Sequence, residues 1–370
     1  MSRTVAIIGG GYGGAAAAKA LDEHADVVLI EPKDAFVQNA ASMRALARPE
    51  WAGKMFFPYD RLMERGRIVR ERAVSVDSQG VLLASGERVE ADYLVLATGS
   101  GYPFPFKFED DLAGQARERI HAVHGELAGA GRVLIAGAGP VGLELAGEIK
   151  AVWPDKRVTI VDHGTELLPA FEPQVRADLR RQLTELGVEL LLGTTLDAEP
   201  PTGPGRAEPF TVGSTAGELS ADIWFRAYGV RVRTGYLDGD LGDARTPRGH
   251  VRVTERLNVE GHEHVYAIGD ITDLAEAKMA GNAMQHAEVV AANIIAQLRG
   301  ERPSSVYRPS PLPFVLLPLG AEGGVGQLPS PEGPIVLPAE SVADYKGRDL
   351  FTGRFAELFG VAGEPAPAGV

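Results

Sequence analysis

Two glycine fingerprints, 128 residues apart, limit what this chain can fold into. The first, Gly9-Gly10-Gly11-Tyr12-Gly13-Gly14, follows the apolar run Val5-Ala6-Ile7-Ile8. The second, Gly137-Ala138-Gly139-Pro140-Val141-Gly142, follows Val133-Leu134-Ile135-Ala136. Both read G-x-G-x-x-G between a predicted strand and a predicted helix. In this motif the first glycine permits a tight turn, the second lets the backbone approach a pyrophosphate, and the third lets the helix close on the sheet. The helix start then presents free N–H groups and about half a positive charge to the phosphates. A carboxylate ending the next strand should hold a ribose. Glu31 stands 22 residues after Gly9, and Asp162 stands 25 after Gly137. Both suit the expected spacing of about 20 or slightly more. Ordinary glycine-rich turns would not bring strand, glycines, helix and acid together twice. Two dinucleotides on one chain suit electron transfer from a nicotinamide to a flavin.

Composition narrows the chemistry. At 370 residues, two or three domains are expected. A net charge of −13 argues against a nucleic-acid partner, whose phosphates need a basic face. Arg61, Arg65, Arg67, Arg70 and Arg72 cluster, but Glu64 and Glu71 interrupt them, as on a solvated surface. With no cysteine, the chain carries no redox dithiol, iron–sulfur cluster or thiolate zinc site, and no metal is expected. No apolar run approaches the ~20 residues needed to span a bilayer. The longest, Leu312 to Leu319, is broken by Pro313 and Pro318. Arg3 leads directly into a strand, which argues against a signal peptide, and Ser2 excludes N-myristoylation. The expectation is a soluble, cytoplasmic α/β protein.

Along the chain, strands are expected near 67–76, 80–84 and 88–96, the last ending at Ala97-Thr98-Gly99. A helix is expected from Glu172 to Leu186, closed by Gly187, and a surface hairpin loop over 199–218. Trp224 and Tyr228 read as core or rim residues. Val265-Tyr266-Ala267-Ile268-Gly269-Asp270 is an apolar strand delivering an acid at its carboxyl end, where parallel sheets bind ligands. Composition shifts after Pro303, and the tail from Glu364 to Val370 reads as disordered. Phe351, Phe355, Leu358 and Phe359 make one apolar helix stripe. It either packs on the protein's own core or lies at a membrane interface.

Together these segments resemble the two-dinucleotide-binding-domain flavoproteins. Within them the chain looks most like the ferroptosis suppressor branch of apoptosis-inducing-factor-like quinone reductases. The resemblance is carried by N-A-A-S-M-R from Asn39 to Arg44, Leu96-Ala97-Thr98-Gly99-Ser100, Glu260-Gly261-His262 and Val265 to Asp270. Lys278-Met279-Ala280, Gly324-Val325-Gly326-Gln327 and Arg348-Asp349-Leu350-Phe351 add to it. It implies two Rossmann-like FAD/NAD(P)-binding domains of the glutathione-reductase type plus a small C-terminal α+β domain. Residues 1–104 and 236–304 would bind FAD, 105–235 would bind NAD(P)H, and 305–370 would form the acceptor or interface piece.

The resemblance also implies roles. The first fingerprint would hold FAD, with Glu31 on its ribose, Arg44 reaching the FAD and Val74 meeting the adenine through its backbone. Thr98, Gly99, Gly269 and Asp270 would border the flavin, with Asp270 on its ribityl or pyrophosphate region. Lys278 and His286 would sit on the helix passing the isoalloxazine, His286 either as a satisfied helix histidine or in the chemistry. The second fingerprint would hold NADH, with NADPH as the alternative, because the Asp162 carboxylate should repel a 2′-phosphate and His163 would soften that. Glu144 would stand beside the nicotinamide, and Lys346, ahead of R-D-L-F, would approach the flavin. Hydride would pass to FAD and then two electrons to a small-molecule quinone, the missing cysteines excluding a thiol–disulfide route within the chain. Two rivals stand beside this: a reductase of a ferredoxin- or rubredoxin-type carrier, and a slow-turnover NADH sensor. Peripheral membrane contact through the C-terminal segment and the oligomeric state are left open.

Overall fold

The computed structural model describes residues 3–362, so the tail from Glu364 onward lies outside the described residues. Two parallel sheets organise the chain. The first has the order Val265–Ala267, Tyr93–Leu96, Thr4–Ile8, Asp26–Ile30, Arg67–Val69, with the fingerprint strand Thr4–Ile8 at its centre. The second has the order Val188–Leu192, Arg157–Asp162, Arg132–Ala136, Ile223–Arg226. Their central strands Thr4–Ile8 and Arg132–Ala136 are nearly continuous apolar runs, as expected where both faces of a parallel sheet are covered. The fold is α/β, as expected.

The glycines do what their spacing requires. Gly9 has φ +102°, and a Cβ there would lie 2.6 Å from the Ala97 carbonyl oxygen. A Cβ on Gly14 would lie 1.8 Å from the Gly9 oxygen, which no side chain tolerates. Gly137 (φ +115°) and Gly142 repeat this geometry, with a Gly142 Cβ 2.1 Å from the Gly137 oxygen. The helix Tyr12–Leu21 also packs against the long helix Ala280–Leu298, where a Gly13 Cβ would sit 3.0 Å from the Ala283 oxygen.

Three strand expectations needed correction. The run 67–76 splits, Arg67–Val69 joining the parallel sheet and Ala73–Asp77 joining an antiparallel meander with Gly80–Leu83 and Arg88–Glu90. The run 88–96 also changes sheet, at Ala91-Asp92. There the Asp92 carboxylate accepts from the Thr4 N–H at 2.8 Å and from Arg3 at 2.6 Å, pinning the crossing point to the first strand. Residues 199–218 are not only surface loop. The hairpin Phe210–Ser214/Gly217–Ala221 buries Phe210, Val212 and Ala221 against Trp224. Polar composition there hid an alternating inward face. The helix Pro173–Glu185 forms as expected, with Gly187 at φ +69° behind it.

The C-terminal piece touches both halves. Its antiparallel sheet, Val315–Leu319, Gly323–Leu328 and Ile335–Leu337, lies on the second fingerprint helix, Pro140–Val152. Gly147 makes this approach possible, since a Cβ there would come within 2.6 Å of the Leu319 backbone. The chain then runs through a π-helical turn, Ala343–Gly347, to the short helix Thr352–Leu358 on the opposite half. Phe359 stacks on Phe36 and Phe57, and Phe355 stacks on Phe36 and meets the Tyr12 ring edge-on. The apolar stripe is therefore spent on the protein's own core. No helix among the described residues is long and apolar enough to cross a membrane.

Candidate active site

The two fingerprint turns have the same construction. Glu31 ends the strand Asp26–Ile30 and accepts the Gly10 N–H at 2.6 Å, while Asp162 accepts the Ala138 N–H at 2.7 Å. Each acid thus braces the residue after the first glycine. Tyr59, fully inside, donates to the Gly10 carbonyl at 2.8 Å from the other side. The middle glycines differ from the outer ones in a telling way. A Cβ on Gly11 or Gly139 would meet no protein atom within 4 Å. Glycine is therefore not needed there for packing, which fits a backbone that a dinucleotide pyrophosphate approaches. The helix-start N–H groups beside them have no intrahelical partner and suit an anion. A flavin dinucleotide at the first turn and a nicotinamide dinucleotide at the second both fit these donors.

Asp270 follows the strand Val265–Ala267 in a short helical turn. Its carboxylate accepts from Ser100 Oγ at 2.5 Å and from Lys107 Nζ at 3.1 Å. Burial alone would raise its pKa, but Lys107, Ser100 and Lys278 outweigh burial and hold it below the usual range. It is thus an ionised acceptor at the carboxyl edge of the first sheet. Thr98 Oγ1 donates to the Arg233 carbonyl at 2.5 Å and sits 3.0 Å from Tyr236 Oη, and Gly99 turns the chain with φ +62°. Tyr12 Oη donates to Gln38 Oε1 at 2.6 Å, and Gln38 Nε2 donates to the Leu350 carbonyl at 2.6 Å. That pair of bonds ties the first fingerprint to the C-terminal piece.

Glu144, on the second fingerprint helix, and Lys346, in the π-helical turn, meet at 2.8 Å. Glu144 is buried and Lys346 mostly so. Burial pushes the Glu144 carboxyl up, and Lys346 only partly reverses this. One turn along the helix, Glu148 accepts from Arg44 Nε and Nη2 at 2.9 and 2.7 Å. Arg44 also donates to the Arg348 carbonyl at 3.2 Å and lies over the Trp51 ring. Its guanidinium thus clamps the second fingerprint helix.

Val74, Lys278 and His286 complete the expected residues. Val74 is half exposed at an irregular point of the meander. Lys278 precedes the helix Ala280–Leu298 rather than standing on it, and caps the Thr272 and Leu274 carbonyls at 2.8 and 3.0 Å. His286 is on the helix, fully buried, and accepts the Gly269 N–H at 3.0 Å. Of the residues sequence reasoning missed, Lys107 and Ser100 are plainest. Ser100 directly follows the Ala-Thr-Gly turn, a signal of position, whereas Lys107 reaches Asp270 across 163 residues and had none.

Known proteins resemble this chain over most of its length. The model of the pyridine nucleotide-disulphide oxidoreductase family matches residues 3–290. Ferroptosis suppressor protein 1 of Homo sapiens is 34% identical over 358 residues, covering 94% of this chain and 93% of that protein. Apoptosis-inducing factor homolog B of Dictyostelium discoideum is 28% identical, covering 95% and 96%. The sulfide:quinone oxidoreductase of Aquifex aeolicus shares the fold with a TM-score of 0.76 at 20% identity, covering 99% of this chain and 93% of that one. The chain belongs to the pyridine nucleotide-disulphide oxidoreductase family and is an FAD- and NAD(P)H-dependent oxidoreductase.

Proposed function

We propose that the protein is an NADH:quinone oxidoreductase. The observation that carries this reading is the buried Lys346–Glu144 pair, which brings a cation of the C-terminal piece onto the second fingerprint helix. The absence of cysteine supports a small-molecule acceptor over a dithiol route within the chain. The sequence resemblance supports a quinone.

Bound FAD supplies the two-electron relay between nicotinamide and acceptor. The protein's own groups bind, orient and hold charge. Gly9, Gly11, Tyr12, Gly13 and Gly14 present the flavin turn, with Glu31 bracing it and offering its free lone pairs to a ribose. Asp270, kept ionised by Lys107 and Ser100, accepts hydroxyl hydrogen bonds. Gly137, Gly139 and Gly142 present the nicotinamide turn. Asp162 accepts two backbone N–H groups, from Ala138 and Gly164, and keeps negative charge where a 2′-phosphate would lie. Glu144 would position the nicotinamide end, and Lys346 would supply positive charge to offset the negative charge that reduction develops. Arg44 acts through Glu148, holding the helix that carries Glu144.

The test is steady-state NADH oxidation by FAD-loaded protein with a panel of ubiquinone and menaquinone analogues, a ferredoxin, a rubredoxin and air. Fast turnover with a quinone is expected. Turnover only with an iron–sulfur carrier overturns the reading, as does reduced flavin that persists with every acceptor.

A further inference from the structure

His286 is a fully buried histidine whose two ring nitrogens face different partners. Nδ1 accepts the Gly269 N–H at 3.0 Å, so a neutral ring carries its proton on Nε2. Nε2 lies 2.9 Å from Glu276 Oε1, close but off hydrogen-bond alignment. The other Glu276 oxygen accepts the Tyr307 hydroxyl at 2.6 Å, and the Tyr307 ring meets the imidazole edge-on with centroids 4.2 Å apart. Tyr307 is anchored in turn, its N–H donating to the Glu255 carbonyl at 2.7 Å. The target of this chain of contacts is the turn that presents Asp270. Gly269 has φ +71°, its carbonyl accepts Thr272 Oγ1 at 2.9 Å, and its N–H has His286. Loss of the imidazole acceptor would leave a part-buried N–H without its partner at the residue before Asp270, and such a group finds a new partner by moving.

We propose that His286, Glu276 and Tyr307 form a positioning relay that fixes the Gly269–Asp270 turn and thereby sets the protein's hold on FAD. The proposal rests on Asp270 as a flavin contact. None of the three side chains has to touch the cofactor. Tyr307 and Glu276 fix the ring plane and tautomer, and the ring fixes the glycine N–H. The pattern is the familiar one in which a carboxylate orients an imidazole so that its far nitrogen keeps one role. Here the far nitrogen serves backbone geometry. A histidine that only fills space would need neither the Gly269 N–H on Nδ1 nor a carboxylate 2.9 Å from Nε2.

The relay separates from plain packing by two substitutions. His286→Asn keeps an acceptor near the Nδ1 position and drops the Glu276 contact. His286→Gln reaches toward Glu276 and offers Gly269 nothing. On purified protein stripped of FAD, flavin affinity is read by fluorescence quenching on rebinding, flavin environment by the visible absorbance bands, and folding by thermal denaturation. His286→Gln is expected to weaken FAD binding about 10-fold with altered bands, and His286→Asn to stay within about 3-fold of wild type. Tyr307→Phe should fall between them. Asp270→Asn is the control, expected to weaken binding by itself. If Asp270→Asn binds FAD as wild type does, the reading of Asp270 fails and the relay with it. If Asp270→Asn weakens binding while the Asn and Gln variants of His286 behave alike, the relay alone is overturned.

Discussion

Lys346 Nζ donates to Glu144 Oε1 at 2.8 Å, joining side chains 202 positions apart on the second fingerprint helix and the π-helical turn. Lys346 also donates to the Leu316 carbonyl at 3.0 Å. Both catalytic candidates are therefore one unit, and a change at either is felt by the other. A buried pair is a weak source of net stability, yet removing one partner strands the other charge. Lys346→Met should lower stability by about 3–5 kcal/mol and slow NADH-driven quinone reduction, whereas a surface lysine change would do neither. Denaturant unfolding together with turnover measures both, and an unchanged unfolding midpoint would contradict the buried pairing.

The raised carboxyl of Glu144 gives a pH signature. Burial makes the folded protein hold this proton more tightly than the unfolded chain does, Lys346 notwithstanding. That stability is present below the ordinary carboxylate pKa and is lost as pH rises through the raised folded value. Glu144→Gln cannot ionise. Its melting temperature relative to wild type should therefore climb as pH rises from about 4 toward 8. A flat or falling difference would show that burial does not raise the Glu144 carboxyl.

The glycines separate fold from ligand. Gly14→Ala puts a Cβ 1.8 Å from the Gly9 oxygen, so the apoprotein should fail to fold stably. Gly11→Ala meets no protein atom within 4 Å, so apoprotein melting should change little while FAD affinity falls at least about 10-fold. Gly139→Ala should act likewise on the KM for NADH. Equal loss of melting temperature in Gly11→Ala and Gly14→Ala would remove the pyrophosphate assignment.

Asp162 should set the choice of nucleotide. Its two oxygens take the Ala138 and Gly164 N–H groups at 2.7 Å each, leaving a charged carboxylate where a 2′-phosphate would be placed. The ratio of kcat/KM for NADH over NADPH should favour NADH, and Asp162→Ser should narrow it by about 10-fold or more. A wild-type preference for NADPH would reject this role.

Phe359 is fully buried against Phe36, Phe57 and Tyr59. Phe359→Ala should cost about 3–5 kcal/mol as a cavity substitution. If the stripe instead lay on a membrane, the variant would melt normally and lose sedimentation with anionic liposomes.

The sequence by itself determined the two dinucleotide turns. Their geometry is local: a glycine that must have positive φ, a glycine that leaves no room for Cβ, and an acid one strand later are all set within about 30 residues. Glu31, Asp162 and the carboxyl-end position of Asp270 were legible for that reason. The tertiary structure decided what long-range contact decides. The segment of Arg44 suggests a cofactor arginine but says nothing of its pairing with Glu148, 104 residues away. Lys107 had no motif and became the partner of Asp270 only when the sheet edge formed. The stripe from Phe351 to Phe359 had a period that suits a core and a membrane equally. Only the aromatic rings of Tyr12, on the first fingerprint helix, and of Phe36 and Phe57, paired across the strands Ala35–Val37 and Phe56–Pro58, made it core. Periodicity records that a face must be covered; the fold alone says what covers it.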